Sequence, residues 1–340
     1  MRIVYTGGGT LGSVTPLLAV AEQDGAIERL WIGTSSGPEK KFIEDQQIPF
    51  IPIEAFRLRR FFSIRNIIEL PHLITSYVNA KSILKKFYPD IVLTAGSFTG
   101  VPVCLAAHRL GIPFIVLQLD VVPGLANKLL FSRATRIIVP HQSFKKEIPH
   151  ASVTVCGIPI SNMYQQTVIE KKTITFLGGG TGSLWLNNFV VNNLQTLLSE
   201  SDVIHFQGDS KRAALMSGTH TGYVSIFHAN RKATIQAIHR SNIIVTRGGM
   251  GTLAELSEFK KPTIIVPMPS SHQEQNALFF SSQGAAIKIN QSQGEEVLLD
   301  QILGLLHDTE RQKKLSKHIY ELLPHDASRC AQNVIRSVLV

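Results

Sequence analysis

RIVYTGGGTLGSVTP (residues 2–16) sets a short strand-like run before four glycines in six positions, then places Pro16 in the first turn of a helix. Glycine lets a backbone approach a phosphate closely while the N–H groups of the next helix point at it. The same order of parts returns at TITFLGGGTGS (173–183) and at NIIVTRGGMGTLAEL (242–256). Outward from these loops the chain alternates short apolar runs with helical segments. The runs are LWIG (30–33), FIPI (50–53), DIVLTA (90–95), PFIVLQ (113–118) and RIIVP (136–140), then VIHFQ (203–207), YVSIF (223–227), TIIVP (263–267) and AAIKIN (285–290). Helices fit between them, for example over 99–110, 184–198, 231–240 and 252–259. Runs that are apolar on both parities are strands covered on both faces. A β-α-β-α order repeated twice predicts the α/β class, with two Rossmann-like doubly wound parallel domains and ligands beyond the strand C-termini. Periodicity is weakest over 157–172, the expected linker. The domains are then 1–156 and 173–324, with a last helical segment over 325–340.

The 340 residues are 44% apolar and 17% charged, which excludes a disordered, solvating chain. No run of apolar residues is long enough to span a bilayer, and the N-terminus does not read as a signal peptide. Cys104, Cys156 and Cys330 are odd in number and isolated, so neither a disulfide nor structural zinc is expected, and a reducing cytoplasm is the default setting. The net charge of +9 is uneven: residues 55–89 hold Arg57, Arg59, Arg60, Arg65, Lys81, Lys85 and Lys86 against the single acid Glu69. That window lacks any nucleic-acid-binding signature, so no nucleic acid partner is expected. An anionic membrane surface or a phosphorylated ligand fits it.

Gly7, Gly9 and Gly12 satisfy the dinucleotide pattern G-x-G-x-x-G, but that reading needs an acid at the end of the second strand. The place reads Ile32-Gly33-Thr34, with Glu28 earlier, which argues against NAD. A diphosphate site is the better account of the loop than a bare tight turn. Loop 177–183 supplies an equivalent site in the second half, so phosphate contacts from both sides of a cleft are expected. In the third loop the helix N-terminus offers backbone N–H groups and the Thr252 hydroxyl to a diphosphate. Glu255, one turn on, is either an acceptor for a ribose diol or a solvated helix-face carboxylate.

Five stretches, GGTLGSVTPLLAVAE (8–22), AGSFTGVPVCLAAHRLGIPFIVLQLDVVPGLANKLL (95–130), FLGGGTGS (176–183), RGGMGTLAELSEFKKPTIIVPMP (247–269) and HQEQNA (272–277), resemble the MurG family in order and spacing. The resemblance covers nearly the whole chain. It implies the two-domain GT-B fold of an inverting hexosyltransferase that moves N-acetylglucosamine from UDP-N-acetylglucosamine to lipid I, making lipid II for peptidoglycan. It implies a peripheral location at the cytoplasmic face of the inner membrane, and a last helix that returns to the N-terminal domain. By the same resemblance the donor meets Thr10, Leu11, Gly12, Ser161, Gly180, Thr181, Gly182, Arg247, Gly249, Met250, Gly251, Thr252, Leu253, Ala254 and Glu255, with His272, Gln273 and Asn276 on the sugar. The polyprenyl-diphosphate-linked acceptor meets Gly9, Gly96, Ser97, Phe98, Thr99, Gln118 and Asp120. The chain has no D-x-D motif, so no metal and no cofactor are expected, and backbone dipoles would neutralise the leaving diphosphate.

The chain departs from the family at specific places. Ser13 and Leu117 stand where histidines are usual, Ser161 where an arginine is usual, and Gly180 where a serine is common. A serine is a poor general base unless another group activates it. Asp120, the only carboxylate in the matched acceptor motifs, is therefore the candidate base beside Ser13; it reads equally as a turn acid before Pro123. Two accounts stand: an N-acetylglucosaminyltransferase acting on lipid I or on another lipid-linked acceptor, and a non-catalytic UDP-sugar-binding scaffold of cell-wall assembly. Membrane contact is expected from Arg57, Arg59, Arg60, Phe61, Phe62 and Arg65 within 56–78, where apolar side chains are mixed with arginines. The alternative is that this stretch is ordinary core and loop.

Overall fold

The structure is a computed structural model that describes every residue except 55–69, 150–151, 162–171, 181, 209–219, 228–230 and 340. The chain divides into two compact units, Met1–Ser161 with Pro324–Val340, and Asn162–Leu323. The divide falls a few residues past the expected edge at 156, and the expected linker lies mostly outside the described residues.

The first unit is a parallel sheet of β1 (Arg2–Thr6), β2 (Glu28–Thr34), β3 (Phe50–Ile53), β4 (Ile91–Thr94), β5 (Phe114–Leu117), β6 (Arg136–Val139) and β7 (Val153–Val155). Its order is β3-β2-β1-β4-β5-β6-β7. The helices are α1 (Thr15–Ala21), α2 (Glu39–Glu44), α3 (Leu70–Phe87), α4 (Gly100–Arg109) and α5 (Leu125–Phe131). Ile3, Val4 and Tyr5 are fully buried, which is why β1 shows no polar alternation. Burial pushes the Tyr5 phenol well above its usual pKa, and its hydroxyl donates to Asp24. Arg29 forks onto the same carboxylate at 2.6 Å, so this buried charge is paired.

The second unit repeats the plan with β8 (Thr173–Leu177), β9 (Asp202–Phe206), β10 (Tyr223–Ile226), β11 (Ile243–Thr246), β12 (Thr263–Ile265) and β13 (Ile287–Lys288), ordered β10-β9-β8-β11-β12-β13. Its helices are α6 (Leu184–Glu200), α7 (Arg231–Arg240), α8 (Met250–Glu258), α9 (His272–Ser282), α10 (Glu295–His307) and α11 (Thr309–Leu322). In each sheet the order reverses beside the first strand, between β1 and β4 and between β8 and β11. Ligands of doubly wound folds bind at such a switch point. The glycine loops stand there because they follow β1, β8 and β11.

The final helix, α12 (Ala327–Leu339), sorts with the first unit and buries Ala331, Val334 and Ile335. Cys330 on this helix forms a disulfide with Cys156 just after β7. This corrects the expectation of three unpaired cysteines. The partners are 174 residues apart in sequence, a proximity made by the fold rather than by local spacing. Cys104 remains a free, buried thiol, and burial pushes its pKa up.

A polar network braces the second unit. His205 Nε2 donates to Asn187 Oδ1 at 2.9 Å, the Tyr223 hydroxyl donates to Nδ1 at 3.0 Å, and Asn187 Nδ2 donates to the Gln207 carbonyl at 3.1 Å. Both ring nitrogens are thereby committed to the neutral imidazole, and burial lowers its pKa to about 4. A histidine depressed in the folded state takes up its proton first in the unfolded chain. Stability is therefore lost as pH falls from about 6.5 toward 4. We expect His205→Gln to flatten the decline of the urea midpoint between pH 6.5 and 5, by on the order of 1–2 kcal/mol. Parallel pH profiles for variant and parent would show that His205 does not carry this dependence.

Candidate functional site

In the second unit β8 runs into a loop whose two tips, Gly179 and Gly180, are exposed while Gly178 and Gly182 are buried. Gly182 has φ +75°, and a Cβ there would lie 2.2 Å from the Gln207 carbonyl oxygen. Only glycine fits so close an approach. Ser183 caps α6 by accepting from Leu186 N, and Thr181 lies outside the described residues. Arg247, after β11, donates from Nη1 to the Gly182 carbonyl at 2.9 Å and from Nε to Gln273 Oε1 at 3.3 Å. Burial lowers its pKa. This guanidinium joins the second glycine loop to α9.

α8 begins at Met250 with Gly249 as its N-cap, and no side chain caps it. Its first-turn N–H groups therefore point outward without a side-chain acceptor, the arrangement that receives a diphosphate. Met250, Leu253 and Ala254 turn into the core, so among the expected donor residues of this helix the half-buried surface consists of Gly251, Thr252 and Glu255. Glu255 Oε1 meets Arg231 Nη2 at 3.2 Å. Burial raises the Glu255 pKa and the Arg231 guanidinium pulls it down. Gln273 Oε1 also accepts from Met268 N at 3.0 Å. Asn276 is fully buried and donates to the Gly248 carbonyl at 2.9 Å, so it shapes the loop before α8. His272 is half-buried at the start of α9, whose N-cap Ser271 accepts from Gln273 N.

In the first unit Gly9, Thr10 and Gly12 are exposed and Leu11 is half-buried. Ser13 is buried and its hydroxyl oxygen has no hydrogen-bond partner. After β4 the chain turns through Gly96 and Ser97, both at positive φ, into Phe98, Thr99 and α4. Asn127 on α5 donates to Gln118 Oε1 at 2.6 Å, and Gln118 Nε2 donates to the Asp120 carbonyl at 2.6 Å. A Cβ on Gly96 would lie 2.9 Å from Asn127 Oδ1, so this helix sits directly on the β4 loop. In this region four buried polar atoms lack partners among the described residues: Thr6 Oγ1, Ser13 Oγ, Ser97 Oγ and Asn127 Oδ1. Asp120 itself is half-buried. Ser161 donates to Glu22 Oε1 at 2.5 Å. The site residues missed from sequence are Asn127, present in the quoted PGLANKLL stretch, and Arg231, which no motif marks. Arg57, Arg59, Arg60, Phe61, Phe62 and Arg65 lie outside the described residues.

Residues 3–139 match the glycosyltransferase family 28 N-terminal domain and residues 173–327 its C-terminal domain. The chain is 32% identical over 324 residues to a Clostridium botulinum protein named UDP-N-acetylglucosamine–N-acetylmuramyl-(pentapeptide) pyrophosphoryl-undecaprenol N-acetylglucosamine transferase, covering 90% of this chain and 91% of that one. The chain belongs to the MurG family. A Clostridium kluyveri protein of the same name is 30% identical over 336 residues, covering 94% and 93%. The crystal structure of Acinetobacter baumannii MurG shares the fold, with TM-score 0.77 at 23% identity over 99% of both chains. Membership in the MurG family makes the chain a hexosyltransferase of the two-domain α/β type.

The ion pair on α8 has a measurable consequence. Removing Arg231 lets the buried Glu255 carboxyl rise further, so acidification neutralises it sooner. We expect Arg231→Gln to weaken UDP binding by about tenfold at pH 6 and by much less at pH 8. Calorimetry giving the same ratio at both pH values would show that the Arg231–Glu255 pair does not govern UDP binding.

Proposed function

We propose that this protein transfers N-acetylglucosamine from UDP-N-acetylglucosamine to lipid I, forming lipid II, by a single displacement with inversion. The observation that carries the donor half is the uncapped start of α8, one turn before Glu255, at the switch point of the second sheet. On this reading Gly249, Met250 and Gly251 present N–H groups to the diphosphate, and Thr252 adds its hydroxyl. Glu255 accepts from the ribose hydroxyls, and Gln273 and His272 read the sugar. Asn276 acts from beneath, through the Gly248 carbonyl. Leu253 and Ala254 contribute to the donor site through the packing of α8 against its sheet.

The acceptor half rests on the unpartnered oxygens in the first unit. Leaving a buried polar group unsatisfied costs about 1–3 kcal/mol, so Ser13, Ser97 and Asn127 form a surface prepared for a polar ligand. A diphosphate-linked sugar supplies both the donors and the acceptors that such a surface lacks. Gly9, Phe98, Thr99 and Gln118 complete the acceptor wall. The base is Asp120, which withdraws the acceptor hydroxyl proton as the UDP leaves; dipoles at the loops and helix start stabilise the leaving diphosphate. Ser161 carries no charge for the donor, and its hydroxyl donates to Glu22.

Among the described residues no helix is long and apolar enough to cross a membrane. Membrane contact is proposed as peripheral, at the cytoplasmic face, by residues 56–78. α3 supports it by exposing Ile74 and Val78 to solvent.

Incubation with labelled UDP-N-acetylglucosamine and synthetic lipid I, following product and free UDP together, tests the proposal. Equal amounts of labelled lipid-linked disaccharide and UDP are expected. Asp120→Asn should cut turnover by about 100-fold or more with UDP affinity unchanged. Tight UDP-sugar binding with no product would instead favour the scaffold reading, which the residues Ser13, Leu117 and Ser161 motivate.

A further inference from the structure

Behind the first glycine loop lies a carboxylate that no motif marks. Glu39 is the first residue of α2, after Pro38, yet its side chain turns inward and is fully buried. Its Oε1 accepts from the Thr34 backbone N–H at 2.7 Å and from the Thr34 hydroxyl. Its Oε2 accepts from the Gly9 N–H at 3.2 Å. Among the described residues no ion pair reaches it. The space it fills is shared with backbone: a Cβ on Gly8 would lie 2.0 Å from Oε1 and one on Gly37 1.9 Å from Oε2. Two chain segments were thus left without side chains where this carboxylate enters.

We propose that Glu39 is the positioning residue of the first glycine loop, fixing its turn at Gly9 and so setting how the protein uses its acceptor. The charge is the means. A buried carboxylate must find donors, and it finds one on the loop and two at the end of β2. It therefore ties the loop after β1 to the strand beside it. Gly9 has φ +79° and its N–H is spent inward on Glu39, so the loop turns its exposed edge, Thr10 to Gly12, away from that bond. Glutamine is nearly the same shape but has one acceptor oxygen. If that oxygen keeps Thr34, the amide NH2 faces the Gly9 N–H, donor against donor, and the loop is released.

The inference rests on the reading of Gly9 and Ser13 as part of the acceptor side, and two readouts keep the questions apart. Glu39→Gln is studied in the full-length protein by hydrogen exchange, UDP calorimetry and steady-state kinetics on lipid I. Amide exchange over 7–13 should quicken by about tenfold or more, since a hydrogen bond to a charged group is lost. Exchange in the second unit should not change and UDP affinity, carried mainly by α8, should fall by no more than about twofold, while the acceptor KM rises by about tenfold at nearly constant kcat. Unchanged exchange over 7–13 in a folded variant overturns the inference. So does a loosened loop with unaltered acceptor kinetics, or a fall in UDP affinity matching the fall in acceptor use, the mark of general damage. If Glu39→Gln does not fold, Thr34→Val removes one of the three donors at a buried site of equal shape and should give the same pattern at smaller amplitude. Were the parent itself unable to transfer sugar, the functional reading would fail in its own assay, and exchange over 7–13 would still decide what Glu39 holds.

Discussion

The constraint on which the rest depends is the close passage of backbone over buried polar groups at the C-terminal ends of the first strands. Gly8 passes over the Glu39 carboxylate and Gly182 over the Gln207 carbonyl, at separations where no Cβ fits. Because these loops turn so tightly, backbone lies exposed at their glycines, at Gly9, Gly12, Gly179 and Gly180. The glycines cost chain entropy on folding. That cost is offset by hydrogen bonds the turns permit, such as Gly9 N–H to Glu39 and Arg247 to the Gly182 carbonyl.

The two units spend this device differently. In the second, the polar groups behind the loop satisfy one another: His205, Asn187, Gln207 and Tyr223 form a chain of hydrogen bonds, and Gln273 and Asn276 hold the approach to α8. Among the described residues of that loop, the exposed ones are Gly179 and Gly180. In the first, Thr6, Ser13, Ser97 and Asn127 keep oxygens without partners. On the proposed function, ligand groups satisfy these atoms, each of which costs about 1–3 kcal/mol while unsatisfied.

Much of the fold was legible because buried parallel strands have a plain signature. β1 and β3 fall on the expected residues and α7 on its expected ten, while other elements differ by a residue or two at their ends, where capping decides. β13 shrinks from AAIKIN to Ile287–Lys288, and the edge strand β7 carries too short a run to announce itself. The glycine loops were legible because a strand, glycines and a helix start follow one another in the sequence, and the structure places them in that order after β1, β8 and β11. Contacts between distant residues were not legible. Arg231 meets Glu255, Ser161 meets Glu22, Glu39 meets Gly9 and Cys156 meets Cys330, and none of these pairs has a spacing that periodicity reports. Glu39 in particular reads from sequence as an ordinary acid in the first turn of a helix, favoured there by the helix dipole. Only the glycines opposite it reveal that it points inward.

Titration of glycine-labelled protein with UDP-N-acetylglucosamine, followed by backbone amide NMR, tests the central claim most directly, because the claim is that peptide N–H groups at the start of α8 receive the diphosphate. The account predicts that the Gly249 and Gly251 amides shift first and furthest, saturating with the same dissociation constant that calorimetry gives. Saturable binding that leaves these two amides unmoved would contradict it.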